Sequence, residues 1–502
     1  MEYIRKYVII MMTKNKNIQS EILMTTMEDL VPKDSIFRKI DACIDFTFIW
    51  DEVEDLYCKN NGKFGYDPIV LFKLVFIQAL DGIKSMRKTC EKIKVDAEYR
   101  WFLGIPFGKD TPHYSTFSKN YERRFKDSGI FEKIFINIVF QAMKYNLLND
   151  EFFTDSTHKK ANANKNKYED IIVEEVKKRK LDIEEEINEE RKKLNKKEFQ
   201  FEDKIEKKHI KVSTTDPESG YYHRTNKEKG FMYLDHRTVN GKCNIIVDAH
   251  VTKGNIHDSV PYIDRINYIE NTYNIKVGKA GVDSGYDNIE IKKFFEENNI
   301  FGVIAYRRYQ QGNTEIRKYE FRYIEDEDVY VCPRTGVILP YRNIDRNGYK
   351  EYYDRKQCEN CPYLKECCGK NKFRKIRRFI DEEINERARQ RRLSEEGKKL
   401  FQKRKYTVER SFADSKQNHG FRYAMYKGLE KNQNYTWLIC AAQNMKNISL
   451  KVENRKYETK NNTIKLATIA KNYIFEKIFQ KIRERFNIKT QVQKLNWGLS
   501  TI

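Results

Sequence analysis

The chain has 502 residues, room for two to four domains at ~100 to 200 residues each, which excludes a disulfide-held miniprotein. Lys and Arg total 96 against 74 Asp and Glu, a net charge of +22, and such a surplus favours an anionic partner, nucleic acid ahead of acidic lipid. No segment approaches the ~20 apolar residues needed to cross a bilayer, and the early run Tyr7 to Met12 is too short for a secretory signal and lacks a cleavage pattern. These features predict a cytoplasmic protein. Its ten cysteines are then free thiols or metal ligands rather than disulfides.

After an irregular start, residues 34 to 147 read as mostly helical. Pro68 suits the first turn of an apolar helix ending near Leu80, Ser85 caps a second helix, and a basic helix ends in Tyr121-Glu-Arg-Arg-Phe125. Several short helices, one of them basic, are similar to a helix-turn-helix DNA-binding domain. At Asn149 to Asp155 a short apolar run reads as a buried strand that delivers Asp155 to its end. Residues 165–209 hold 14 basic and 14 acidic residues, so they contribute nothing to the surplus. Val173, Val176, Ile183, Ile187 and Leu194 fall on heptad positions there, predicting a long solvated helix or hairpin, with a dimer coiled coil as one form of it.

From Phe231 the pattern turns to beta. Two apolar runs around Asn240-Gly241 predict a hairpin, a helix capped by Asp258 or Ser259 follows, and Lys276 to Asp283 is another strand ending on an acid. A helix over 288–298 and a strand at Phe301 to Ala305 complete the order of elements of a ribonuclease H-like core: an α/β mixed sheet flanked by helices. Residues 306–375 read as an irregular Cys-rich insertion. The stretch 376–420 reads as long-helix material, and Tyr435 to Met445 as a last apolar helix. Between Lys372 and Arg410 there are 15 basic and 7 acidic residues, more than a third of the net charge. The expected division is an all-α DNA-binding domain at 1–147, a catalytic domain at 148–450 carrying both insertions, and a basic tail at 451–502.

Three acids stand out by position: Asp155 and Asp283 at strand ends, and Glu409 inside the basic stretch. Phosphodiester chemistry on DNA uses two hard cations about 3.5 to 4 Å apart. Carboxylates suit Mg²⁺, with Mn²⁺ as a substitute. Glu409 and Lys416 lie seven residues apart, two turns on one helix face, so an acid and a phosphate-binding lysine point the same way. A second constellation, Cys332-Pro, Cys358-x2-Cys361-Pro and Cys367-Cys368, offers four thiolates for structural Zn²⁺, from Cys332, Cys358, Cys361 and Cys367. The residues alone leave open a stand-alone metal-dependent nuclease and a catalytically inactive, zinc-bearing DNA-binding protein.

Phe153-Thr-Asp155-Ser-Thr-His-Lys-Lys, Ala280-Gly-Val-Asp283-Ser-Gly-Tyr, and Tyr406-Thr-Val-Glu409-Arg-Ser-Phe followed by Lys416 and Gly420-Phe-Arg-Tyr occur in the order found in DDE transposases of bacterial insertion sequences. Over roughly residues 30 to 450 the chain resembles that family. The resemblance implies a ribonuclease H-like catalytic core behind a helical N-terminal domain, with Asp155, Asp283 and Glu409 as the Mg²⁺-binding catalytic triad. It implies cleavage of the ends of a mobile element and transfer of the 3′-hydroxyls to target DNA. Lys159, Lys160, Arg404, Arg410, Lys416 and Arg422 are then the candidates for contact with double-stranded DNA. A homodimer or larger assembly on DNA is expected, with no membrane and no small-molecule cofactor, in a cytoplasmic protein that joins the nucleoid when bound. One departure concerns the arginine that relatives carry before the glutamate: Lys405 stands four residues before Glu409, leaving Arg404 and Arg410 as candidates for that role.

Overall fold

The computed structural model describes residues 24–58, 65–177, 181–224, 229–306 and 316–455. The Tyr7 to Met12 run and positions 456–502 of the expected tail lie outside the described residues. In chain order, β1 (Glu151–Lys160) leads into a separate ribbon of β2 (Tyr168–Lys177) and β3 (Lys204–Ser213), and β4 (Gly220–Tyr222), β5 (Gly230–Asn240), β6 (Ile246–Lys253), β7 (Lys279–Val282) and β8 (Phe301–Ile304) then complete a six-stranded central sheet with β1. β5 runs antiparallel to β1 on one side and to β4 and β6 on the other, whereas β7 and β8 run parallel to β1.

Every residue of β5 is buried, because the strand is central and helices cover both faces of the sheet. Two crossover helices, Tyr262–Tyr273 and Ile289–Glu297, link β6 to β7 and β7 to β8. Their apolar stripes, Ile266 and Ile269 on one and Ile291 and Phe295 on the other, are buried. A Cβ at Gly302 would stand 2.0 Å from Phe295 Cδ2, so only glycine lets that helix lie so close to β8.

In the helical N-terminal region, Pro68–Leu80 begins as expected, with Pro68 in the first turn and Asp67 accepting the Ile69 amide at 2.8 Å. Ser85 caps the helix Met86–Val95. Phe72 packs against Phe117, Phe125 and Phe131, and this cluster is continuous with the apolar side chains of the sheet and of the helix at 429–455. The N-terminal region and the sheet therefore share one core.

Several sequence expectations change. Asp155 sits in the middle of β1 rather than at its end. The 165–209 segment is a two-stranded ribbon carrying one helix, Leu181–Lys193, and not a continuous heptad helix. The β-branched run Ile171-Ile172-Val173 favours an extended strand, and Ile187 is buried on a helix that docks by its polar side on the second sheet, Arg191 Nη1 donating to Ile344 O and Lys350 pairing with Glu190. The Cys-rich stretch is not irregular: β9 (Arg322–Ile324), β10 (Val329–Val331), β11 (Ile338–Ile344), β12 (Tyr349–Tyr352) and β13 (Ile376–Phe379) form an antiparallel meander. It has its own small core of Phe321, Tyr330, Leu339, Tyr352 and Ile376. The expected long helix is broken at Ser394 into Glu382–Leu393 and Glu395–Lys403, a tight corner at which a Cβ on Gly397 would strike Arg391 O at 2.0 Å. The helix after β6 begins at Tyr262 with Pro261 as its N-cap, and no side chain caps it.

Beneath the sheet lies a buried ion pair. Arg237 and Asp235 on β5 are both 0% exposed and meet at 2.9 Å. Arg237 Nη1 also donates to Ser415 Oγ at 2.7 Å and Ser411 Oγ at 3.3 Å on the helix Val408–Asn418, and to Gln443 Oε1 at 3.2 Å. Removing one member of such a pair leaves an uncompensated buried charge. Arg237→Met is expected to destabilise the protein by about 3 to 5 kcal/mol, measured by urea unfolding, with an effect below 1 kcal/mol contradicting a structural role for the pair.

Candidate active site

Pairing between β1 and β7 covers only Glu151 to Phe153 against Lys279 to Gly281. Asp155 lies two residues beyond the last β1 residue paired with β7, and Asp283 follows β7 directly, so both carboxylates come to the point where the parallel β1–β7 pairing ends, the kind of place where sites in α/β sheets assemble. Asp283 Oδ1 accepts the Gly285 amide at 2.7 Å. Asp155 accepts the Ser156 amide at 2.8 Å and, through Oδ2, Arg404 Nη2 at 2.8 Å. Arg404 itself is 5% exposed.

The environment of Asp155 disfavours its charge. Burial lifts its carboxyl to about 6, Arg404 opposes that, and the negative charges of Asp283 and Asp258 push the same way as burial. Asp258 is an acid that sequence reading assigned to a helix cap. It accepts Ser156 Oγ at 2.6 Å instead, beside Asp155. The signal available in sequence was an acid in the loop directly after a sheet strand, the position type that singled out Asp283.

Glu409 is carried by the helix Val408–Asn418, whose buried face of Val408, Ser411, Phe412 and Ser415 packs on the sheet. Three contacts align this part of the chain with β1: Lys403 with Glu151, Arg404 with Asp155, and Lys416 Nζ with Thr157 Oγ1. Thr157 shares the β1 face of Asp155, since strand side chains alternate. Glu409 lies on the same helix face as Lys416 and is exposed. The structure gathers Asp155, Asp258 and Asp283 around Ser156 and Gly285, while Glu409 is exposed on its helix; among the described residues no group of three His, Cys, Asp or Glu side chains is drawn in closely enough to enclose a metal ion.

Beside Thr157 and Lys416 a groove is lined by His158, Lys160, Tyr222, Arg422 and Tyr423. Tyr423 is 51% exposed and lies 5.4 Å from Lys160 Nζ. Arg410 is exposed next to Glu409. The expectation for Lys159 is corrected: it is buried, its ammonium lies 4.3 Å from the Phe421 ring and donates to Thr436 Oγ1 at 3.4 Å, and burial lowers its pKa to about 8. An ammonium held there cannot reach a DNA phosphate. Arg404 is likewise engaged, with Asp155 rather than with solvent.

The cysteines at 332, 358, 361, 367 and 368 line one small cavity of the meander insertion. At Cys332, burial would raise the thiol pKa, but hydrogen bonds from the Thr335 hydroxyl and the Thr335 and Arg334 amides outweigh it and hold the thiol below its usual range. Burial pushes Cys358 up, and Cys367 up to about 12.

Comparison with known families bears on this arrangement. A family model described as Transposase domain (DUF772) matches residues 25–123, the helical N-terminal region. A second, described as Transposase DDE domain, matches residues 331–449, which include the cysteine cavity, Glu409 and its helix. Two separate stretches of the chain thus match transposase domains, which supports a DDE transposase of an insertion sequence. Neither a curated protein nor a solved structure matches it. A DDE domain implies a ribonuclease H-like fold, and the transposase's mixed sheet, with antiparallel strands on one side of β1 and parallel strands on the other, accords with it. No described helix is long and apolar enough to cross a membrane.

The groove and the buried lysine make opposite predictions. Lys160→Ala and Arg422→Ala should each weaken DNA binding and reduce the slope of log K against log salt by about 0.9. Lys159→Met should leave that slope unchanged. Fluorescence anisotropy across a salt series distinguishes the two outcomes.

Proposed function

We propose that this transposase binds the ends of its mobile element, cleaves DNA strands there and transfers the freed 3′-hydroxyl ends to target DNA, using Asp155, Asp283 and Glu409 as its catalytic acids. The observation that carries this reading is the imbalance where the parallel pairing of β1 and β7 ends: the carboxylates of Asp155, Asp283 and the neighbouring Asp258 have one guanidinium, Arg404, among them. Close carboxylates repel unless a cation intervenes, and an all-oxygen donor set suits Mg²⁺ or Mn²⁺. When bound, two such ions supply activation of the attacking oxygen and stabilisation of the leaving oxygen.

The chain's own residues then have distinct tasks. Asp155 and Asp283 supply ligand oxygens on the rigid sheet, and Arg404 orients Asp155. Glu409 supplies the third carboxylate from the helix that also carries Lys416. Lys416, Lys160, Arg422 and Arg410 hold backbone phosphates, so that the strand lies across the acids with its scissile phosphorus open to in-line attack. The helical N-terminal region contributes to end binding. Two element ends must be processed together, which supports a homodimer or larger assembly acting on nucleoid DNA in the cytoplasm.

Asp155→Asn, Asp283→Asn and Glu409→Gln should each reduce strand cleavage and joining by at least about 10³-fold, while end binding stays within a few-fold of the parent. Gel assays with purified DNA and Mg²⁺ read both quantities. Robust joining by Asp283→Asn would remove it from the site.

Four of the cavity cysteines, Cys332, Cys358, Cys361 and Cys367, are proposed to hold one structural Zn²⁺, supported by their common cavity and by the amides that favour a thiolate at Cys332. Elemental analysis of the purified protein should find about one zinc per chain, lost in Cys358→Ser. Metal-free wild-type protein of unchanged stability would contradict it.

A further inference from the structure

We propose that Asp258 is a metal-binding residue of the same centre, contributing a fourth carboxylate to the cation site of Asp155 and Asp283; this rests on the reading of that centre given above. Asp258 lies in the loop between β6 and the helix Tyr262–Tyr273. Its Oδ1 accepts Ser156 Oγ at 2.6 Å, which anchors it beside Asp155. Its Oδ2 faces Gly285: a Cβ built there would stand 3.0 Å from Asp258 Oδ2 and 2.9 Å from Asp283 Oδ1. The two carboxylates thus flank a single glycine, and a side chain at that position would fill the space between them.

Two simpler roles do not account for Asp258. It does not cap the following helix, whose N-cap is Pro261 without a side-chain bond. Among the described residues no Lys or Arg forms an ion pair with it, whereas Asp155 has Arg404. Three carboxylates against one guanidinium leave an excess negative charge of the size that a divalent cation neutralises.

An independent observation points into the same space. Tyr286 is 0% exposed and its hydroxyl has no hydrogen-bond partner among the described residues. Its phenol is held well above its usual range, first by burial and then by the charges of Asp155, Asp258 and Asp283. A buried hydroxyl left without a partner is costly and is normally satisfied by protein or ordered water. Tyr286 ends the short turn Ser284–Tyr286 that Asp283 caps, so its hydroxyl is available to a water of a loaded cation shell. In this proposal a bound cation draws Asp258 in with Asp155 and Asp283, while Glu409 is exposed on its own helix.

The test is Mn²⁺ titration of the full-length protein without DNA, by calorimetry or by the paramagnetic resonance of free Mn²⁺. Asp258→Asn and Asp283→Asn should each weaken Mn²⁺ binding by roughly tenfold or more, and Asp264→Asn, an exposed acid on the next helix, should not. Asp258→Cys provides a second route: cleavage lost in Mg²⁺ and regained in Mn²⁺, which accepts sulfur more readily, supports direct ligation. Parent-like Mn²⁺ affinity in Asp258→Asn, with Asp283→Asn impaired, overturns the assignment of Asp258. Parent-like affinity in both overturns the underlying reading of the centre. If Asp258→Asn does not fold, the metal dependence of Asp258→Cys decides, and equal impairment in both metals counts against ligation.

Discussion

The candidate site depends on one buried interaction that contains none of its acids. Arg237 is fixed by Asp235 on its own strand and reaches across to Ser411 and Ser415 on the helix that bears Glu409. Its guanidinium lies about 5 Å from the rings of Phe412 and Phe421, and Gln443 closes the network by accepting Ser415 Oγ and donating to Ser411 O. A helix held only by apolar contacts can slide or rotate at modest cost, since such contacts are non-directional. A guanidinium that must satisfy two hydroxyls and an amide at fixed angles permits one register. That register sets Lys416 over Thr157 and Arg404 over Asp155, and with them the position from which Glu409 projects.

The same helix is held at its far end by the N-terminal region. His419 Nδ1 lies 2.8 Å from Ala79 O, and Gly82 approaches so closely that a Cβ would meet Asn418 O at 2.6 Å. Because the two regions also share a core, a load on the N-terminal helices is transmitted to the Glu409 helix by packed backbone rather than through a linker. The placement of the Glu409 helix is therefore tied by direct contact to the N-terminal helices.

Much of this was legible in the sequence where a residue type had a single physical use. Pro68 and Ser85 marked helix starts because a missing N–H and a short hydroxyl suit first turns, and the seven-residue spacing of Glu409 and Lys416 fixed their common face. The heptad reading of 165–209 failed because Val173 and Val176 satisfy a heptad and a strand alike, and only the partner strand β3 decides between them. The meander insertion was missed because its strands are three to seven residues long, shorter than any period can show. Lys159 was misread because basic residues are assigned to the surface by default; its inward face follows from alternation along β1, which needs the strand to be longer than the apolar run that announced it. Asp258 was read as a cap for a related reason: an acid before a helix is a cap by default, and its actual partner is a serine 102 residues away.

Charge distribution ties these points together. The ribbon insertion is electrically balanced, yet the stretch from Lys372 to Arg410 is strongly basic. Much of that basic charge is already committed: Arg378 to Glu386, Arg387 and Arg391 to Glu296, and Arg404 to Asp155. The net surplus therefore overstates the charge available to a phosphate backbone. Near the acids, Lys160, Lys416 and Arg422 line a groove with the exposed ring of Tyr423, and Arg410 is exposed next to Glu409. Exposed cations next to crowded carboxylates would in most proteins neutralise them by pairing. Here the buried Arg404 pairs with Asp155, and Lys416 donates to Thr157. That separation of opposite charges a few residues apart accords with the proposed centre, in which phosphates are drawn in while the acids are kept for cations.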